Sequence, residues 1–180
     1  MTLEVSIIVA IDKNNGIGIN GKMPWRLSSD MRYFKKITTK TSDPNKRNVV
    51  IMGRKTWESL PERYRPLSDR INAVLSRKKN IDLPSDVMSF NCLNTALSHF
   101  NSSKIINSIN KVFIIGGGEI YKETLSNKLG NKLYTTKIFS NFSCDTFFPN
   151  FEKDFSLIKT SGILKETDLD FAFEVYKKIN

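Results

Sequence analysis

Histidine and cysteine, on which many catalytic and metal sites depend, are scarce in this chain of 180 residues. The only histidine, His99, lies in LSHFNSS at a predicted helix end, which favours a surface or capping role over a catalytic triad. Cys92 and Cys144 are far apart in the sequence and lack metal-ligand spacing. We therefore expect no disulfide scaffold, no metal site and a reducing, cytoplasmic location.

Long apolar runs are missing as well. No run approaches the roughly 20 residues that a membrane helix needs, and the N-terminal MTLEVSIIVA lacks the basic segment of a secretory signal. Hydrophobic residues make up 39% and charged residues 26% of the chain, an ordinary balance for a globular protein. We expect a single domain over residues 1–180 that has no contact with a membrane.

Acidic residues are outnumbered, because 18 Asp and Glu stand against 28 Lys and Arg, and the net charge is +10. Such a surface attracts anions, among them nucleic acids and nucleotides. The lysines are spread along the chain, and the sequence shows no helix-turn-helix, RRM or basic aromatic helix. The pattern favours steering of a small anionic ligand. A non-catalytic, basic nucleic-acid-binding module is an alternative that rests on the charge alone.

The apolar pattern predicts an α/β fold. Four runs rich in Val and Ile are typical of parallel strands covered on both faces, at 5–11, 48–53, 71–76 and 111–116. Helical patterns lie between them, at 28–40, 54–60 and 93–100, and another ends at Leu125. After residue 130, three segments without intervening helices predict antiparallel strands, at 132–139, 155–162 and 171–178. We expect a mixed, mostly parallel central sheet with antiparallel C-terminal strands and flanking helices.

The dinucleotide fingerprint G-x-G-x-x-G is incomplete. In IIGGGEIYKE an apolar run enters Gly116, Gly117 and Gly118, but Tyr121 stands where the third glycine is needed. The stretch also comes about two-thirds of the way along the chain, whereas that fingerprint opens its domain. Strand, glycines and helix still predict a phosphate at the helix N-terminus, although the usual Rossmann explanation fails.

Asp30 is placed in the first turn of the helix predicted over 28–40. Since Met31 and Phe34 are predicted on the inner face, its carboxylate faces an apolar region, where an unpaired charge is costly. Such a carboxylate can receive a flat, amidine-like heterocycle that offers two adjacent N–H donors. The alternative is that Asp30 only caps the helix together with the serines that begin it, Ser28 and Ser29.

Seven motifs, in order over nearly the whole chain, resemble those of the dihydrofolate reductase family. They are GIGINGKMPW (16–25), the acidic residue in the following helix (Asp30), VIMGRKTWESLP (50–61), RPLSDRINAVLSR (65–77), IIGGGEIY (114–121), YTTKI (134–138) and DTFFP (145–149). The resemblance implies an oxidoreductase of one-carbon metabolism that is an antifolate target. It implies hydride transfer from NADPH to C6 of 7,8-dihydrofolate, which yields 5,6,7,8-tetrahydrofolate. An aspartate at position 30 resembles the bacterial and protozoan members.

By this resemblance, Asp30 pairs with the 2-amino and ring N–H groups of the pterin, and Thr136 hydrogen-bonds its carboxylate. Asp30 is also implied in supplying the proton that N5 needs after hydride transfer, through water near Trp25. Arg70 is implied as the bidentate partner of the α-carboxylate of the glutamate tail; the alternative is a surface arginine before a strand. The residues implied in lining the apolar slot are Ile8, Val9, Met31, Phe34, Leu60, Pro61, Leu67 and Ile115.

The implied cofactor is NADPH. Arg54, Lys55 and Thr56 open a helix after a buried strand, an arrangement that suits phosphate. Ser76 with Arg77 would hold the 2′-phosphate, which NADH lacks. The other residues implied at the cofactor are Ala10, Ile17, Gly18, Gly21, Met23, Leu75, Ile115, Gly116, Gly117, Gly118, Glu119, Ile120 and Tyr121.

Two features of the cofactor region are specific expectations. Many relatives carry a basic residue near position 91, where this chain has Asn91, and we expect Arg54 to compensate. The resemblance also implies that the peptide bond between Gly116 and Gly117 is cis.

Two alternatives stay open at the level of the sequence. A reductase of the same fold acting on another heterocycle, such as a pyrimidine of the riboflavin pathway, would share the cofactor. Asp30 with Arg70 favours instead a substrate that has both a pterin-like edge and a carboxylate tail. Since some protozoan members are fused to thymidylate synthase, the chain is either a monomer or one domain of a longer polypeptide.

Overall fold

The computed structural model describes residues 3–78 and 80–179, so the ends of the domain expected over residues 1–180 lie outside the described residues. Within these residues, nine strands form the main sheet: β1 (Val5–Ile11), β3 (Arg47–Gly53), β4 (Arg70–Leu75), β5 (Val87–Phe90), β6 (Ile109–Ile114), β7 (Lys132–Ile138), β9 (Phe155–Thr160), β10 (Leu164–Glu166) and β11 (Leu169–Lys178). Two further strands, β2 (Gly16–Gly18) and β8 (Thr146–Phe147), form a small antiparallel sheet.

Four α-helices connect the strands within the described residues. They are α1 (Ser28–Thr39), α2 (Arg54–Ser59), α3 (Leu93–Phe100) and α4 (Gly118–Ser126). Short 3-10 helices lie at Glu62–Tyr64 and Ile106–Ser108.

The strand order of the main sheet is β10-β11-β7-β1-β6-β3-β4-β5, and β9 shares the outer edge of β11 with β10. β1 lies in the middle and pairs in parallel on both sides, with Ile7 opposite Ile114 of β6 and Leu133 of β7. From β7 outwards the pairing becomes antiparallel. The predicted antiparallel strands are therefore confirmed at 155–162 and 171–178. The prediction for 132–139 is wrong in part, because β7 pairs in parallel with β1 and is antiparallel only to β11.

Alternate residues of the central strands face opposite sides of the sheet, as strand geometry requires. Ile7 and Val9 of β1 belong to a buried cluster with Phe100 of α3. Ile8 belongs to a second cluster with Trp57 of α2. Since helices cover both faces, both sets of side chains are apolar, which explains the near-continuous Val and Ile content.

The sequence missed four short strands and placed several strand ends one or two residues from their observed positions, two of which bear on the site. β2, β5, β8 and β10 have two to four residues each, too few for an apolar period to be visible. β4 spans Arg70–Leu75, so Ser76 lies beyond the strand rather than in it. β6 ends at Ile114, and Ile115 and Gly116 therefore belong to the turn that follows.

Candidate active site

The predicted site residues gather at the carboxyl ends of the parallel strands, where ligands bind in open α/β sheets. Ala10 and Thr136 are register partners near the ends of β1 and β7. The amide of Gly53, at the end of β3, donates a hydrogen bond of 2.7 Å to the carbonyl of Gly116 after β6. Four neighbouring strands therefore bring segments that are far apart in sequence to one edge.

Asp30 is a buried carboxylate, and its residue is only 8% exposed. The hydroxyl of Thr136 donates a hydrogen bond of 2.6 Å to its Oδ1. Burial raises the pKa of Asp30, the hydrogen bond from Thr136 lowers it, and the negative charge of Glu166 raises it. Within the described residues Oδ2 accepts no hydrogen bond, so this oxygen is available to a ligand.

The expectation that the serines cap α1 is wrong. The N-cap residue is Leu27, and its side chain makes no capping hydrogen bond. The amides of Ser28 and Ser29 instead donate to the carboxylate of Glu166 on β10, at 2.6 and 2.9 Å. Because the carboxylate of Asp30 is bonded to Thr136, the interpretation of Asp30 as only a helix cap is wrong as well.

Arg70 is a buried cation at the start of β4, and its residue is also 8% exposed. Its Nε donates to the carbonyl of Ser68 at 2.9 Å and its Nη1 to Oγ1 of Thr38 at 2.8 Å. Its guanidinium lies 5.7 Å from the ring centre of Phe34. Burial lowers the pKa of Arg70. No carboxylate of the described chain forms an ion pair with it, so a carboxylate ligand would supply the missing counter-charge.

One face of α1 joins the two charges. Asp30, Phe34 and Thr38 follow one another at intervals of four residues, which places their side chains in one row. Eight residues of helix span about 12 Å. The carboxylate of Asp30 and the guanidinium bonded to Thr38 therefore mark the two ends of one slot, with the ring of Phe34 between them.

The structure brings most of the predicted slot residues together. Ile8 and Leu67 are buried in the cluster on this side of the sheet, and Phe34, Leu60 and Ile115 pack against it. Met31 is 48% exposed, and Pro61 is exposed beside Leu60. Val9 is an exception, because it packs in the cluster on the opposite face. Its side chain does not line the slot, since neighbours of Ile8 on β1 point the other way.

Trp25 and Tyr121 are buried beside the slot. Trp25 packs against Phe142, with ring centres 5.2 Å apart. Its indole N–H is buried without a hydrogen-bond partner in the part of the chain that the structure describes. The hydroxyl of Tyr121 donates a hydrogen bond of 2.8 Å to the carbonyl of Ile8. Tyr121 thus ties α4 to the central strand β1.

The turn between β6 and α4 leaves no room for side chains. The bond between Gly116 and Gly117 is cis, as the resemblance implied. A Cβ on Gly117 would lie 3.2 Å from Oγ1 of Thr56, and one on Gly118 would lie 2.9 Å from Cγ2 of Thr146. Gly117 is the N-cap of α4 and offers no capping side chain. This turn, called the cradle below, is therefore closely packed against Thr56 and Thr146, and the first amides of the nine-residue helix α4 follow it.

Among the predicted phosphate-binding residues, Thr56 lies against Gly117 in this cradle, whereas Arg54 is already paired. Both carboxylate oxygens of Glu58 accept hydrogen bonds from Nη1 of Arg54, at 2.6 and 2.7 Å. We expected Arg54 to compensate for Asn91, but the carboxylate of Glu58 competes with a cofactor phosphate for Arg54. The pair is spaced i, i+4 in RKTWE, so the sequence did contain the signal. Lys55 is exposed at the start of α2.

The other predicted cofactor residues lie in several elements of the fold. Ser76 and Arg77 follow β4, where Oγ of Ser76 accepts the amide of Lys78 at 3.0 Å. Leu75, Ile17 and Ile120 pack in or against one buried cluster. Two further predicted cofactor residues lie in a loop: Met23 is 50% exposed, and Gly21 has a φ of +73°.

The sequence missed Asp12, which fixes the loop that follows β1. Asp12 is 1% exposed. Its Oδ1 accepts the amides of Asn14 and Gly16 at 2.8 and 2.7 Å, and its Oδ2 accepts the amide of Phe142 at 3.1 Å. Asp12 therefore joins the glycine-rich loop to the loop that follows β7. The bonds to Asn14 and Gly16 are local, but the bond to Phe142 links residues 130 positions apart, and no local pattern indicates it.

Two other kinds of feature are absent from the described residues. None of the helices within residues 3–78 and 80–179 is both long and apolar enough to cross a bilayer. In the same residues, no group of three or more His, Cys, Asp and Glu side chains is arranged to hold a metal ion.

Comparison with known proteins identifies a family. The family model for dihydrofolate reductase matches residues 4–178 of this chain. The chain is 38% identical to the dihydrofolate reductase of Aedes albopictus over 182 residues, which cover 98% of each protein. It is 42% identical over 176 residues to the bifunctional dihydrofolate reductase-thymidylate synthase of Daucus carota; the match covers 96% of this chain and 33% of that protein.

A solved structure gives the same result. The fold is similar to that of Schistosoma mansoni dihydrofolate reductase, with a TM-score of 0.88 and 36% sequence identity. The match covers 99% of this chain and 100% of that one. The predicted fold class is therefore confirmed.

Proposed function

This chain belongs to the dihydrofolate reductase family of oxidoreductases, and we propose that it reduces 7,8-dihydrofolate to 5,6,7,8-tetrahydrofolate with NADPH. One observation carries the proposal: a buried carboxylate, Asp30, and a buried guanidinium, Arg70, stand at the two ends of one apolar slot. The alternative of a non-catalytic nucleic-acid-binding module, which rested on the net charge, is wrong because the family is one of enzymes.

Asp30 and Arg70 recognise opposite ends of dihydrofolate in this proposal. The free oxygen and the Thr136-bound oxygen of Asp30 accept the 2-amino and ring N–H groups of the pterin. The guanidinium of Arg70, which forms no ion pair within the described residues, binds the α-carboxylate of the glutamate tail. Between them, Ile8, Phe34 and Leu67 cover the apolar middle of the substrate.

Asp30 also supplies the proton to N5 of the pterin. Hydride transfer to C6 leaves charge on N5, and a group near the operating pH must provide a proton there. Burial raises the pKa of Asp30, so this carboxyl group keeps its proton to a higher pH than a solvated aspartate does. The indole N–H of Trp25, which has no hydrogen-bond partner among the residues that the structure describes, would orient the water that carries the proton.

The residues around the cis Gly116–Gly117 bond fit a dinucleotide cofactor. Gly117 and Gly118 allow the start of α4 to pack against Thr56 and Thr146, and the first amides of this helix would bind the pyrophosphate. Lys55 and Arg77 add positive charge, and Ser76 with Arg77 selects the 2′-phosphate. NADPH bound there supplies the hydride, and the protein contributes its orientation against the slot.

We further propose that the described residues belong to one reductase domain that functions as a monomer or as part of a fusion. The relatives include both forms. Sedimentation equilibrium of the purified chain would test whether it is a monomer, because a dimer would give twice the molecular mass.

The test of the function is a turnover assay with NADPH and dihydrofolate, which follows the loss of nicotinamide absorbance. We expect turnover by the wild-type chain and roughly 100-fold or greater loss in the isosteric variant Asp30→Asn. A parallel reaction with a pyrimidine that lacks a carboxylate tail tests the alternative substrate class. Turnover of that pyrimidine but not of dihydrofolate, in a protein of intact fold, would contradict the proposal.

A further inference from the structure

Glu166 lies in a hairpin far from Asp30 in sequence and next to it in space. It is the last residue of β10, which pairs with β11 through a turn at Thr167 and Asp168. Its Oε1 accepts the amide of Ser28 and its Oε2 the amide of Ser29. These amides belong to the two residues directly before Asp30.

The helix that carries Asp30 depends on this carboxylate for its cap. The first amides of any helix need acceptors from outside the helix. Leu27 at the N-cap offers none, and two of the amides are bonded to Glu166. Thr136 holds the Asp30 carboxylate itself from β7. The position of Asp30 is therefore fixed from two strands of the sheet, β7 and β10.

We propose that Glu166 is a positioning residue for the reaction, which fixes the first turn of α1 and sets a negative charge beside the Asp30 carboxyl group. The inference rests on the proposed role of Asp30 as the proton source. It assigns a function to the C-terminal hairpin, whose residues do not line the slot.

Among the groups named here that face Asp30, Glu166 is the one that supplies a negative charge. Thr136 is neutral, and Tyr33 and Tyr121 are neutral phenols at physiological pH because burial raises the pKa of both. Hydrogen bonds from Ser29 and then Ser28 hold the pKa of Glu166 below its usual range, so Glu166 is ionised at neutral pH. Its charge, together with burial, raises the pKa of Asp30.

Arg32 is the cation that opposes this effect. Its Nη2 lies 3.9 Å from Oε2 of Glu166 and donates to Oγ of Ser29 at 2.8 Å. The Arg32 side chain is 72% exposed, so solvent screens its charge, whereas that of Glu166 is 23% exposed. The negative charge of Glu166 is therefore the one that acts on Asp30.

Glu166→Gln removes the negative charge at nearly unchanged side-chain size. It also removes one of the two cap bonds, because the amide nitrogen of glutamine cannot accept a hydrogen bond from a backbone N–H. The pKa of Asp30 then falls, and the proton is lost at a lower pH. The rate of hydride transfer, measured in a single turnover, should fall as the pH rises. The midpoint of this fall should lie at a lower pH in the variant than in the wild type. The KM for NADPH should stay unchanged.

Asp168→Asn is the matched control. Asp168 lies in the same hairpin, is exposed, and forms no hydrogen bond to α1 within the described residues, yet the substitution removes the same charge. Its pH profile should superimpose on that of the wild type. If Glu166→Gln also superimposes, Glu166 has no such role. If both variants move the profile equally, the effect is one of net charge and the inference is wrong.

A second measurement does not depend on turnover. The carbon-13 signal of the Asp30 carboxyl group titrates in the unliganded protein, and its midpoint should move to lower pH in Glu166→Gln alone. An unmoved midpoint overturns the inference even if the variant is slow. A wild-type chain that titrates in this way but never turns over dihydrofolate would contradict the proposed function instead.

Discussion

The hydroxyl of Thr136 and the carboxylate of Asp30 are joined by a hydrogen bond of 2.6 Å between residues 106 positions apart. The bond connects β7 to α1 across the mouth of the slot. It lowers the pKa of Asp30, whereas burial and the charge of Glu166 raise it. The acidity of the proposed proton source thus depends on three elements of the fold, α1, β7 and β10.

Thr136→Val removes this bond and keeps the shape of the side chain. Since the bond favours the charged form, its loss raises the pKa of Asp30 further, and the pH profile of hydride transfer should move to higher pH. The maximal rate should fall roughly tenfold, because the carboxylate loses a charged hydrogen bond that orients it. Pre-steady-state kinetics over pH would measure both effects.

Thr135→Val is the control for that substitution. Thr135 is fully buried, and its Oγ1 has no hydrogen-bond partner among the described residues. Replacement by valine should leave the pH profile in place and should not lower the melting temperature. A shift in both variants would show that strand β7, rather than the bond, controls the profile.

Asp30→Asn should stabilise the unliganded protein while it removes activity. The pKa of Asp30 is higher in the folded chain than in the unfolded chain, so the folded state binds more protons and stability falls as pH rises above about 4. Asparagine carries no charge and therefore removes this loss of stability. Its side-chain oxygen can still accept the hydrogen bond from Thr136. Its melting temperature should therefore exceed that of the wild type at pH 7. The difference should vanish near pH 3, and a difference that persists there would contradict the explanation.

Arg70→Leu should raise the KM for dihydrofolate roughly 10- to 100-fold, since a charge-assisted bond to the tail is lost. The KM for NADPH should change little. Steady-state kinetics with each substrate varied would show the difference. Arg63→Leu, at an exposed arginine outside the slot, is the control and should leave both values unchanged. Equal damage to both substrates in Arg70→Leu would argue for a purely structural role.

Glu58→Gln should strengthen NADPH binding by about two- to threefold. The exposed pair of Arg54 and Glu58 is worth only about 0.3–0.5 kcal/mol, so its loss costs little stability and frees Arg54 for phosphate. The gain should shrink at high salt. Glu62→Gln, which breaks the similar pair with Arg65, is the control. If the two variants give the same NADPH affinity, Arg54 does not contact the cofactor.

The sequence predicted those parts of the molecule that follow from local pattern. The central strands were visible because their side chains are apolar on both faces, and Asp30, Thr136 and Arg70 were reached through their motifs. Val9 was misassigned, since period-two alternation turns it away from Ile8. Glu166 was missed because its hydrogen-bond partners are 137 and 138 residues away and its strand has three residues. Long-range polar contacts of this kind leave no trace in a local pattern.

The place of β1 in the sheet affects how the chain folds while the ribosome synthesises it. β1 is made first, yet its neighbours β6 and β7 begin more than 100 residues later. At about 5–20 residues per second, translation leaves this apolar strand without its partners for roughly 5–20 s. Such non-local pairing also slows folding. The nascent chain therefore carries β1 unpaired until β6 and β7 have been made, and an unpaired apolar strand promotes aggregation.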